Sequence, residues 1–97
     1  MCSIKFYFPL QLNKKGERAM LNAIIVGKVI QRYREKKGIS QEALSGLADI
    51  GRTHLSAIER GERKPTLETF YRICQGLDVP ASKIMSDIEK ENTVGWK

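Results

Sequence analysis

Residues 40–61, Ser40-Gln41-Glu42-Ala43-Leu44-Ser45-Gly46-Leu47-Ala48-Asp49-Ile50-Gly51-Arg52-Thr53-His54-Leu55-Ser56-Ala57-Ile58-Glu59-Arg60-Gly61, decide the fold of this chain. Ser40 offers a hydroxyl that can cap the free N–H groups of a helix start. Ala43, Leu44 and Leu47 then follow at helical spacing and predict the buried side of a short helix. Asp49-Ile50-Gly51 reads as a tight turn with Ile50 aimed at the core. A second helix runs from about Arg52 to Arg60, burying Leu55 and Ile58 and leaving polar groups on its open face.

Outward from this pair the helical reading continues. From about Leu21 to Lys37, Val26, Ile30 and Tyr33 mark one face, and Gly38 is a natural stop. Downstream, Gly61-Glu62-Arg63-Lys64-Pro65 is an exposed basic loop, and Thr66 caps a fourth helix whose apolar stripe is Leu67, Phe70, Ile73, Cys74 and Leu77. Thr69 stands where a full capping box would have Glu or Gln. Pro80 opens a fifth helix at or near its first position, with Ile84, Met85 and Ile88 as its apolar residues. The expected fold is all-α: five compact helices over residues 23–89, with an N-terminal extension over 1–22 and a frayed tail over 90–97. Residues 3–12 alternate, with Ile4, Phe6, Phe8, Leu10 and Leu12 on one face, which predicts a short strand; Pro9 confines it to an edge.

The 97 residues make one domain, and a hydrophobic fraction of 41% suffices for a small core. The net charge is +6 and the isoelectric point about 9.6, which favours a polyanionic partner. The charge is uneven: residues 23–65 carry nine basic side chains against five acidic, residues 66–97 four against five, and residues 1–22 four against one. Cys2 and Cys74 form no disulfide framework, which suits a reducing cytoplasm. A single histidine, His54, and no Cys-x-x-Cys pair point to no metal site. No cofactor loop and no catalytic constellation stand out, so an enzyme is not expected. No apolar run approaches the ~20 residues of a membrane span, and the start lacks a secretory apolar region.

Two short helices joined by a tight turn, the second open and polar, have the geometry of a helix-turn-helix, whose second helix enters the DNA major groove. Gly38-Ile39-Ser40-Gln41-Glu42-Ala43-Leu44 and Leu55-Ser56-Ala57-Ile58-Glu59-Arg60-Gly61-Glu62-Arg63-Lys64-Pro65-Thr66-Leu67-Glu68-Thr69 also resemble the phage-repressor (lambda/Cro, or Xre) family of regulators. The resemblance covers about Val26 to Ile88. It implies that Gln41 bonds a phosphate and braces the start of the recognition helix, and that Arg52, Thr53 and Ala57 read base edges. His54 and Ser56 would touch phosphate or base beside them, Arg63 and Lys64 would meet the DNA backbone, and Arg34 and Glu59 would form a buried ion pair. Two positions depart from the family pattern: Ser45 stands where Ala is usual, and Asp49 where the turn usually has Gly. Gly51-Arg52-Thr53-His54-Leu55-Ser56 and Leu77-Asp78-Val79-Pro80-Ala81-Ser82 look like the controller proteins of restriction–modification systems, which are dimeric autoregulators.

The expected function is therefore a sequence-specific regulator that binds a double-stranded DNA operator as a homodimer. Ile84, Met85 and Ile88 are the expected dimer contact, since a domain this small leaves apolar side chains over. The alternative is an antitoxin, which would bind a protein partner as well as DNA. Two readings of residues 1–19 stand side by side. One is a strand that adds to a partner's edge. The other is a translated leader before a native start at Met20, because Lys15-Gly16-Glu17 can be encoded by a purine-rich ribosome-binding sequence.

Overall fold

The computed structural model describes residues 20–94, so the strand and leader readings of residues 1–19 lie outside the described residues. Five helices follow one another: α1 (Ala23–Lys37), α2 (Gln41–Ala48), α3 (Arg52–Glu59), α4 (Leu67–Leu77) and α5 (Ala81–Val94). Among the described residues every regular element is a helix. α2 packs mainly on α4, while α1 packs on α3 and α5. Val29, Ile30, Leu44, Leu55, Ile58, Ile73, Ile84 and Ile88 are fully buried at the centre.

Local chemistry sets the ends. The Asn22 side chain accepts from the N–H groups of Ile24 (2.8 Å) and Ile25 (3.4 Å) and starts α1 just after the expected boundary. Gly38 ends it at φ 79°, a left-handed conformation that costs glycine no Cβ clash. Ser40 and Thr66 cap α2 and α4 through the N–H groups of Ala43 (3.0 Å) and Thr69 (3.1 Å). Asp49 and Asp78 close α2 and α4 at φ 58° and 61°, so the Asp in the turn does adopt the conformation for which glycine is the usual residue.

Four expectations are corrected. Leu47 is 61% exposed and Ala43 is also exposed; the buried side of α2 is Leu44, Ser45 and Ala48. α4 approaches this face closely: a Cβ on Gly76 would stand 3.0 Å from Leu44, 3.2 Å from the Leu47 Cβ and 3.5 Å from the Ala48 nitrogen, so only the base of the Leu47 side chain is covered and the rest is left in solvent. The Ser45 hydroxyl is satisfied in the interior by donating to the Glu42 carbonyl (2.9 Å). Leu67, 81% exposed, is not part of the α4 stripe, because the Thr66 cap leaves it on the first turn, before the helix reaches the core.

α5 continues to Val94, past the expected limit at 89, because its last turns have partners on α1 and in the residues just before it. Arg32 pairs with Glu91, and Asn92 accepts from the Asn22 N–H (2.9 Å) while donating to the Met20 carbonyl (3.2 Å). The Tyr33 hydroxyl donates to Asp87 on the same seam. Last, Ile84 and Ile88 are 0% and 1% exposed. They fill the protomer's own core and are not available to a partner; of the three expected dimer contacts only Met85 reaches the surface.

Candidate nucleic-acid interface

α3 begins without a side-chain cap, since Gly51 offers none. Its first amides are therefore left for an external acceptor. At 3.6 residues per turn, Arg52, Ser56 and Arg60 recur four apart and form one row, with Thr53 beside it. Arg52, Thr53 and Arg60 are exposed, and His54 and Ser56 are half-buried. Ala57 is 8% exposed, so its methyl faces the protein and is not presented as a base-reading group. Arg63 and Lys64 lie exposed in the following loop. Among the described residues no carboxylate forms a salt bridge with Arg52, Arg63 or Lys64, which leaves this edge electropositive.

The row is held by a buried polar cluster at the other end of α3. Arg34 Nε and Nη2 donate to the two Glu59 carboxylate oxygens at 2.7 and 3.0 Å, with side chains 11% and 2% exposed. Arg34 Nη1 donates to the Ile39 carbonyl (2.9 Å) and Gln41 Nε2 to Glu59 (2.9 Å). One carboxylate thus ties α1, α2 and α3 together, and its hydrogen bonds hold the Arg34 guanidinium even more firmly protonated than usual. Gln41 braces the last residue of α3 rather than its start. Its amide retains a second N–H for an outside acceptor. A further constraint comes from Gly27 on α1: a Cβ there would stand 2.2 Å from the Ile58 carbonyl oxygen and 2.7 Å from that of Glu59. Only glycine lets the α3 backbone sit this close.

Sequence reasoning missed Arg60. The signal was present as the four-residue repeat from Arg52 through Ser56. Arg60 donates to the Ser56 hydroxyl and, with Nε and Nη2, to Glu62 at 2.9 and 3.0 Å.

A helix-turn-helix family profile matches residues 30–84, which is more than half of the chain. The chain belongs to the helix-turn-helix family. Among relatives, the control protein C.MunI of a Mycoplasma species is 41% identical over 64 residues, covering 66% of this chain and 86% of that one. Two solved structures share the fold. The restriction-modification controller protein C.AhdI from Aeromonas hydrophila superposes with a TM-score of 0.64 at 26% identity, over 67% of this chain and 98% of its own. The controller protein C.Esp1396I, solved as a tetramer with its natural 35-base-pair operator, does so with a TM-score of 0.69 at 32% identity, over 75% of this chain and 96% of its own. A transcriptional regulator of Mycobacterium tuberculosis, ClgR, is 33% identical over 63 residues, covering 65% of this chain and 56% of that one, and among the described residues no helix is long and apolar enough to cross a membrane.

Away from α3, Leu67, Phe70, Tyr71, Ala81 and Met85 line an open apolar groove of about 650 Å³ between α4 and α5. Leu67 and Tyr71 are 81% and 53% exposed, unusual for side chains of this kind.

Proposed function

We propose that this chain is a sequence-specific transcriptional regulator that binds a two-fold-related double-stranded DNA operator as a homodimer, and that it controls a restriction–modification system together with its own gene. The observation that carries this reading is the exposed row on α3, braced by Arg34–Glu59 and flanked by Arg63 and Lys64, in a fold shared with a controller solved on its operator.

Each group has a role that its chemistry suits. The Arg52 fork matches guanine O6 and N7, and Thr53 can pair with a base edge or rest its methyl on thymine. His54 and Ser56 stand beside them for a base or phosphate, and Gln41, Arg63 and Lys64 fix the register through the backbone. One recognition helix covers too few base pairs for an address in a genome. Two copies reading half-sites ~34 Å apart supply it. The dimer contact moves from Ile84 and Ile88 to the apolar face of exposed Leu67 and Tyr71 with half-buried Met85. The regulator works in the cytoplasm, where its Cys74 stays a free buried thiol.

Fluorescence anisotropy with a labelled duplex from upstream of the chain's own gene tests the reading. The expected affinity is on the order of 10⁻⁸ M or tighter, and at least ~10³-fold weaker for a scrambled duplex at the same salt. Equal affinity for both would remove the sequence-specific reading. Tyr71→Asp and Met85→Asp should sediment as folded monomers; variants that stay dimeric would place the interface elsewhere.

A further inference from the structure

The pairing of Arg60 has a meaning for the α3 row. Arg60 stands in line with Arg52 and Ser56, yet its guanidinium fork is already taken. Glu62 accepts from two of its nitrogens at 2.9 and 3.0 Å, and a third donates to the Ser56 hydroxyl. The pair is exposed, with side chains 52% and 59% accessible, so it adds little to stability. Glu62 also places a negative charge in the same loop as Arg63 and Lys64, where every other charge would attract a phosphate. A carboxylate and a phosphate present the same kind of paired oxygens to a guanidinium fork.

We propose that Arg60 is a DNA-contacting residue and that Glu62 is its built-in competitor, holding the fork until a well-fitted duplex brings a phosphate close enough to displace it. On an ill-fitting duplex the carboxylate keeps the fork, and non-specific binding is held down. On the operator Arg60 joins the interface. The Ser56 hydroxyl, which accepts from Arg60, keeps its own proton to donate to the DNA. The pair thereby raises the ratio of specific to non-specific binding without reading a base. This inference rests on the DNA-binding reading above.

The test compares the wild-type chain, Glu62→Gln, Arg60→Gln and the double variant on the upstream duplex and a scrambled one, at a series of salt concentrations. Circular dichroism melts should be unchanged, since the pair is exposed. Glu62→Gln should tighten scrambled-duplex binding several-fold, more than it tightens operator binding, with a log–log salt slope steeper by about one. Arg60→Gln should weaken operator binding, and in its background Glu62→Gln should change neither affinity nor slope. Unchanged affinities in Glu62→Gln would place the pair off the DNA surface. The same tightening with Arg60 absent would reduce Glu62 to a general charge effect. Either result overturns the proposal. Should the wild-type chain bind both duplexes alike, the underlying DNA reading fails first, before any variant is compared.

Discussion

Glu59→Ala is the substitution that bears hardest on both the fold and the site. The Glu59 side chain is 2% exposed and receives two hydrogen bonds from Arg34 and one from Gln41. Truncation leaves the Arg34 guanidinium at 11% exposure with only the Ile39 carbonyl as partner. Breaking a buried pair from one side costs ~3–5 kcal/mol, because the remaining charge is uncompensated. That is a large part of the ~5–15 kcal/mol that holds a small domain together. At ~4–8 °C per kcal/mol for a domain of this size, the melting temperature should fall by on the order of 20 °C. Thermal and urea denaturation, read by circular dichroism, measure it. The double variant Arg34→Met with Glu59→Leu should recover much of the loss, since both charges leave together. What remains reflects the Ile39 carbonyl, which loses its donor, and the Gln41 amide, which loses its acceptor. A Glu59→Ala melt within experimental error of the wild type would refute the reasoning, as would a double variant no better than the single one.

Gly27→Ala should destabilise by ~1–3 kcal/mol or more, because the new methyl would meet the Ile58 carbonyl at about 2.2 Å and push α3 away from α1; an unchanged urea midpoint would show that the crossing has slack. Asp49→Gly should stabilise by roughly 0.5–1 kcal/mol, since relief of the left-handed strain at φ 58° exceeds the entropy that glycine costs; a lower melting temperature would contradict this. Tyr33 and Asp87 make stability depend on pH at both extremes. The hydrogen bond to Asp87 raises the Tyr33 hydroxyl to about 12, so its contribution is complete below the unfolded value near 10 and is lost as pH rises through 12. The same bond lowers Asp87, whose contribution is present above the unfolded value of ~3.9 and lost on acidification through the folded one. Tyr33→Phe should flatten both limbs; stability-versus-pH curves that coincide with the wild type would dismiss the bond.

The helix ends were legible because their chemistry is local. Ser40, Thr66 and Gly38 act within three or four residues of where they stand. The identity of the buried face was less so. In an eight-residue helix such as α2 the apolar spacing admits more than one side, and which of Leu47 and Ala48 is covered depends on how α4 packs on it, which no local pattern contains. The same holds for Ile84 and Ile88 against Met85, whose difference lies in what packs on α5. The length of α5 depends on Arg32–Glu91 and on Asn92 at Asn22, contacts between opposite ends of the domain that no local pattern contains. Arg34 and Glu59 are 25 residues apart, so their pairing came from family resemblance, not from spacing. Arg52 and Thr53 were readable as exposed because they open α3. The burial of Ala57 and the link from Gln41 to the end of α3 needed coordinates.

The proposed function depends most on the reading of a two-fold-related operator by α3 of two copies through Arg52. Selection of bound duplexes from a random pool, run in parallel on the wild-type chain and Arg52→Ala, tests it most directly. Two inverted half-sites with centres about 10 base pairs apart are expected for the wild type. The same spacing is expected for Arg52→Ala, with preference relaxed at one base pair in each half-site and affinity weaker by ~1–3 kcal/mol. No enriched sequence, a single asymmetric site, or an identical motif from both proteins would contradict it.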